Sequence, residues 1–402
     1  MWRRYGDVAF AAVFAIAISL EAIPLCYLTW TLAARLFGNA GGARLGSVLL
    51  GAVGSAAAAL ILVTTYVLSY QHVSAQHERV RVEQRRAWVT RWLSVLEGSQ
   101  PEPTGTLEPE GVQALLALRE TLRGSESSRI AEILERHGAV RQLERSAGHG
   151  RLGGRLDAIV ALSNARIPSA LPTLVNGVYD SNQLICVASA RGAARTLARV
   201  EDLFDRDRGA AALARAMEAQ ELPYGIIEEV VVLAEDAATS LIAVLLLHDR
   251  PRAPTVRAAI DGVGRLKLLI FAEEVVPFLS HPDDEVRAAA LRAVSRLGFL
   301  PESSHGVVIA ALTDEVDFIR IHAAAAARLL PRPHALSLLS DRLGDRSWWV
   351  RRAAADALVS LGPAGLAQLG RVVHEHPDRF ARDIAEQALR DQMPNLVRAV
   401  VG

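Results

Sequence analysis

The stretch His281-Pro-Asp-Asp-Glu-Val-Arg-Ala-Ala-Ala-Leu-Arg-Ala-Val-Ser-Arg-Leu-Gly298 opens with a histidine and three successive carboxylates, residue types that bind metals or move protons. Its counterparts elsewhere in the chain change that reading. The core Val286-Arg287-x-x-Ala290-Leu291-x-Ala293-Val294 recurs as Ile319-Arg320-x-x-Ala323-Ala324-x-Ala326-Ala327 and as Val350-Arg351-x-x-Ala354-Ala355-x-Ala357-Leu358. Looser copies begin at Val256-Arg257 and Ala381-Arg382, so the arginines from Arg257 to Arg382 lie 30, 33, 31 and 31 residues apart. Degenerate copies precede them at Gly154-Arg155 and Ile185-Cys186, and a poorly matched unit near Pro223 to Glu235 fills the gap. The series amounts to about seven repeats, with Pro109 to Ala147 as a helical cap. Each repeat is long enough for two helices and two turns. One such pair cannot bury its own apolar face, so successive pairs stack into a continuous core.

Six residues before the motif position, Asp or His recurs as His149, Asp180, His281, Asp314, Asp345 and His376. Position explains this recurrence. Each lies in the turn between paired helices, where a side chain accepts hydrogen bonds from unpaired amides, and Asp283, Asp284 and Glu285 sit at the positive end of a helix dipole. Gly298 and Gly362 are expected as left-handed C-caps. His374-Glu375-His376 runs into Pro377 at a helix end, which argues against a metal site. The chain has no phosphate-cradling glycine loop, nucleophile elbow or zinc spacing. No catalytic, metal or cofactor residues are expected.

Near the N-terminus the pattern changes. Val8 to Thr31 and Leu45 to Tyr70 are each long enough to cross a hydrocarbon core of about 30 Å. They predict an antiparallel transmembrane hairpin over 1–70, joined by the glycine-rich turn Arg35 to Arg44. Arg3 and Arg4 before the first span, and Arg79, Arg81, Arg85, Arg86 and Arg91 after the second, place both termini in the cytoplasm. Glu21 falls near the centre of the first span, where an unpaired charge costs at least about 2.5 kcal/mol. It is therefore either protonated and hydrogen-bonded within the hairpin or in contact with a partner in the membrane. Residues 71–109 comprise a basic juxtamembrane helix, with Trp88, Trp92, Leu93 and Leu96 on one side, followed by the proline-rich linker Gly98 to Pro109. The repeats then occupy 110–402.

Composition agrees with this division. The chain is 51% hydrophobic, and a mean hydropathy of +0.21 points to lipid contact. Lys+Arg and Asp+Glu both total 44, so no overall basic field favours nucleic acid. Cys26 and Cys186 stand far apart and read as two inert thiols.

The motif resembles the short bacterial HEAT-like repeats of the type also found in phycobilin lyases, over roughly residues 150 to 393. The resemblance implies an all-α chain, a right-handed α-solenoid of HEAT-like repeats following the transmembrane hairpin. In that family the motif arginine commonly bonds an acidic residue of a neighbouring repeat. Carried over, the structural ladder comprises Arg257, Arg287, Arg320, Arg351 and Arg382, with Cys186 departing from the pattern. Trp348 and Trp349 at a helix start cannot both face one core. One is expected inside and the other exposed, either as a partner contact, alongside Glu21, or in a capping or lipid-facing role. The expected function is non-enzymatic, that of a scaffold in the bacterial inner membrane which binds a membrane-associated protein, as an accessory subunit of a glycosyltransferase or export complex would. Membrane lipid is an expected contact, and no small-molecule substrate is evident. A HEAT-like lyase or hydroxylase is the alternative, and a nucleic-acid-binding solenoid a more distant one.

Overall fold

A computed structural model describes residues 82–247 and 251–401, with side chains through 392, and scattered positions between 27 and 71. The predicted hairpin therefore lies largely outside the described residues, as do Glu21, Cys26, Arg3, Arg4, Arg79 and Arg81. Among the described residues no single helix is long and apolar enough to cross a membrane. The chain forms two compact units, Met1–Leu118 and Arg119–Gly402. All regular structure among the described residues is helical.

In the first unit, α1 (82–96) is held by its tryptophans and leads through residues 97–108 to α2 (Pro109–Thr121). Trp92 is fully buried, and its indole N–H donates to the Gly111 carbonyl at 3.0 Å. Trp88 stacks on it at 5.7 Å and donates to Glu108 at 3.3 Å. Leu96 is buried with them, but Leu93 is exposed and Val95 takes its place inside.

The second unit continues with α3 (Ser125–Arg136), α4 (Ala139–Gly148), α5 (Leu152–Ala165), α6 (Leu171–Val178), α7 (Gln183–Leu197), α8 (Leu203–Ala219), α9 (Tyr224–Leu233) and α10 (Ala238–Leu247). After these come α11 (Ala253–Leu266), α12 (Ala272–Val275), α13 (Asp284–Leu297), α14 (His305–Ala311), α15 (Asp317–Ala327), α16 (Arg332–Arg342), α17 (Trp348–Ser360), α18 (Pro363–Glu375) and α19 (Arg379–Val401). Every odd-numbered helix from α5 to α19 packs on the next, giving a solenoid-like stack with a row of eight motif helices among the described residues. The spacing predicts about seven; the poorly matched unit proves to be a full member of the row, α9, preceded by the 17-residue α8.

The alanines account for the closeness of this row. In α13, Val286, Ala288, Ala289, Ala290, Ala293 and Val294 are wholly buried, and small side chains let neighbouring helices approach. A Cβ at Gly264 of α11 would lie 2.9 Å from the Ala293 Cα of α13. The bent pair formed by Tyr224–Leu233 and Glu235–Leu247, which turn by 111°, is apolar for the same reason: Ile227, Val230, Leu241 and Ile242 are core residues.

Turn chemistry sets the helix ends. Asp283 caps α13, its carboxylate accepting from the Glu285 and Val286 amides at 3.0 and 3.1 Å. Gly298 closes α13 in the left-handed region at φ 71°, whereas Gly362, at φ 69° and ψ −144°, precedes α18 instead and Leu361 closes α17. In α11 the left-handed position is held by Lys267, at φ 53°, the only lysine of the chain. A side chain in that conformation costs about 1–2 kcal/mol. Lys267→Gly is therefore expected to raise stability by about 0.5–1 kcal/mol in urea unfolding. Gly264→Ala is expected to lower it by about 1–3 kcal/mol, since the motif helices must separate.

Candidate interaction site

The turn residues do two things at once. Asp180, Asp314 and Asp345 each accept, through Oδ1, the amide two residues on, at 2.9, 2.9 and 2.8 Å. The motif arginine of the preceding repeat then reaches the same carboxylate: Arg155 bonds Asp180, Arg287 reaches Asp314 at 3.5 Å, and Arg320 grips Asp345 through two bonds of 2.9 and 3.0 Å. Arg320 and Asp345 are almost completely buried, at 4% and 6% side-chain exposure. Burial pushes the Asp345 carboxyl up, but the Arg320 and Ser347 hydrogen bonds outweigh it and hold it below the usual aspartate value.

The motif arginine also donates backward to its own turn. Arg287 bonds the carbonyl of His281 at 3.1 Å, Arg320 that of Asp314 at 2.8 Å, Arg351 that of Asp345 at 2.9 Å and Arg382 that of His376 at 2.6 Å. These four arginines thus fasten a turn to the first coil of their own helix, whether or not a rung to the next repeat is made.

Histidine interrupts the ladder for a definite reason. His281 and His376 accept the same amide two residues on, through Nδ1, both at 3.1 Å. A neutral imidazole has a single acceptor, so nothing is left for an arginine, while a carboxylate has a second oxygen. Arg257, facing the His281 turn, turns to Glu285 at 3.1 Å and stacks over Tyr224 at 4.0 Å. Arg351, facing the His376 turn, stacks over Phe380 at 5.2 Å and has no acidic partner among the described residues. Arg382 has none either. The expected ladder thus differs at Arg351 and Arg382, and Arg155, outside the expected set, forms a rung. Cys186 is buried and makes none, and burial pushes its thiol up. His149 departs as well, its Nδ1 lying 3.3 Å from the Arg145 carbonyl.

A second set of polar contacts crosses the motif row and carries no repeat signature. Asp261 of α11 is 3% exposed and accepts two bonds from Arg292 of α13, at 2.9 and 2.7 Å, and one from Tyr224 at 3.1 Å. Burial and Asp261 push the Tyr224 hydroxyl up to about 12. Arg292 also donates to Nε2 of His322 at 3.1 Å, and burial, reinforced by that cation, lowers His322 to about 4. His322 is consequently neutral near pH 7. These residues lie on four successive motif helices, and sequence spacing misses them because each comes from a different repeat position.

Trp348 and Trp349 are both exposed, at 46% and 64%, packed edge to face at 4.7 Å. This corrects the expectation that one lies inside. Val350 is the first inward position of α17, so both tryptophans precede the buried stripe.

Residues 305–390 match the family model for HEAT repeats. These residues are HEAT-like repeats. The packing of successive motif helices continues back to α5, with one further turn rung, Arg155 to Asp180. No curated protein matches the chain. Among solved structures, the Escherichia coli protein YibA is 14% identical, with 72% of this chain and 99% of YibA covered at a TM-score of 0.35. An engineered protein is 16% identical, with 76% and 98% covered at a TM-score of 0.29.

Removing one partner of the Arg320–Asp345 pair leaves a buried charge alone. Arg320→Gln is expected to cost about 3–5 kcal/mol in urea unfolding. Asp345 has its folded pKa depressed, so its contribution is full above the ordinary aspartate value of 3.8, declines as pH falls below it, and is gone below the folded value. The stability gap between the wild type and Asp345→Asn should therefore shrink between pH 6 and about pH 3.

Proposed function

We propose that the protein is a membrane-anchored cytoplasmic scaffold that binds a partner protein through its HEAT-like repeats and has no catalytic activity of its own. The carrying observation is the division of labour within the stack. Most of the repeated arginines are engaged by neighbouring repeats and turn carbonyls, while the bulkiest exposed side chains of the motif row, Trp348, Trp349 and Phe380, are aromatic, a class enriched at protein interfaces. Repeat stacks offer long continuous surfaces, and tethering one to a membrane raises the local concentration of whatever it holds.

The anchor is the apolar segment 1–70 in an inner membrane, with both termini cytoplasmic. Its support is the arginine distribution and the described positions Tyr27, Leu28, Leu60 and Val63, which are helical with exposed apolar side chains. Glu21 contacts a polar group of the partner within the bilayer. The partner is a membrane-associated protein, in an assembly such as an envelope glycosyltransferase or exporter.

Gentle detergent extraction of the tagged chain should co-purify a membrane protein, and Glu21→Leu should reduce its yield severalfold. Finding no stable partner would remove the scaffold reading. A reporter fused at the C-terminus should report the cytoplasm; an extracytoplasmic signal would overturn the placement.

A further inference from the structure

The last interruption of the ladder, at Arg351, lies beside an exposed aromatic side chain, Phe380. The second residue of each motif helix from α5 to α13 is Gly153, Leu184, Gly225, Pro254 and Glu285 in turn, but in the last three helices it is Phe318, Trp349 and Phe380. These three are 31 residues apart at the same register, on helices that pack α15 on α17 and α17 on α19, so they form one row across the stack. Phe318 is half-buried, while Trp349 and Phe380 are 64% and 61% exposed.

The two histidine turns show what this row lacks. At the His281 turn, Glu285, the second residue of α13, supplies a carboxylate to Arg257. At the His376 turn the equivalent residue of α19 is Phe380, which gives Arg351 an aromatic face and no anion. Arg351 is thus a cation beside an exposed aromatic row, with the position of its missing carboxylate marked by a counterpart in the same chain.

A preformed extended segment suits a row of side chains carried by successive helices. Packed helices lie about 8–10 Å apart, which sets the scale on which equivalent positions of neighbouring helices recur. Side chains on one face of a β-strand recur every ~6.7 Å and fall out of step. A polyproline II segment repeats every three residues at 3.1 Å each, about 9.3 Å, and stays in step.

We propose that the Phe318–Trp349–Phe380 row docks an acidic, polyproline II segment of the partner protein, whose carboxylate pairs with Arg351 as Glu285 pairs with Arg257. This rests on the scaffold reading and gives it a ligand chemistry. Aromatic-lined grooves bind such preformed segments at low entropic cost, and charge-assisted hydrogen bonds provide the sign selectivity.

The test uses the detergent-solubilised full chain and a fluorescein-labelled peptide of four Pro-Leu-Glu triplets, read by anisotropy. The peptide should bind, and a version with Lys for Glu, or a twelve-nucleotide oligothymidylate, should bind at least about tenfold more weakly. Arg351→Gln and Trp349→Ala should each weaken the acidic peptide about tenfold or more. His376→Asp, which offers Arg351 an internal carboxylate and leaves every aromatic in place, should weaken it as well. Leu184→Ala, at the same register in α7, should leave affinity unchanged.

Failure of the acidic peptide to bind, tighter binding of the oligothymidylate, or unchanged affinity in both Arg351→Gln and His376→Asp overturns the proposal. Retention of a co-purifying protein by Arg351→Gln as fully as by the wild type overturns the aromatic row and leaves the scaffold standing. Peptide binding by a wild type that holds no partner in extracts supports the row and removes the scaffold.

Discussion

A turn residue with two acceptor oxygens is the constraint on which the stack depends. Between paired helices the backbone leaves an amide without a helical partner, and in the next layer an arginine arrives needing an anion. Asp345 meets both needs, taking the Ser347 amide on one side and Arg320 on the other. One short side chain therefore shapes a turn and ties two repeats together, and the same arginine binds the carbonyls of the turn behind it. Burying an Arg–Asp pair is costly in itself. Here every rung also satisfies backbone groups that would otherwise be stranded, so the pair fixes the register of one repeat on the next.

Where the turn residue is histidine, the local half of this function survives and the long-range half does not. His281 and His376 make the same turn, because an imidazole nitrogen can stand in for a carboxylate oxygen toward a single amide. The stack tolerates the loss because packing of small residues holds the helices together regardless. At one interruption Glu285 restores an ion pair, and at the other an arginine is left over an exposed ring. A structural substitution thus creates a surface with unspent electrostatic and stacking capacity.

Much of the stack was legible along the chain. The recurrence of Val-Arg and of alanines at fixed offsets reports helices that must pack closely, since neither a large residue nor a polar one fits at those places. The recurring Asp or His reports turns. Less was legible where contacts join different repeat positions. Asp261, Arg292, Tyr224 and His322 share one network across four helices, yet no two occupy equivalent places in the repeat. The outward placement of both Trp348 and Trp349 depends on where α17 begins, which adjacency in sequence does not reveal.

The sequence by itself determined that this chain builds helix pairs, that they stack, and which residues form the seam, because periodic burial leaves a periodic imprint. Only the tertiary structure decided which arginines find carboxylates. That choice depends on the second acceptor of a residue in the next layer, and on what lies beside it in space: Asp345 before Arg320, but His376 and Phe380 before Arg351.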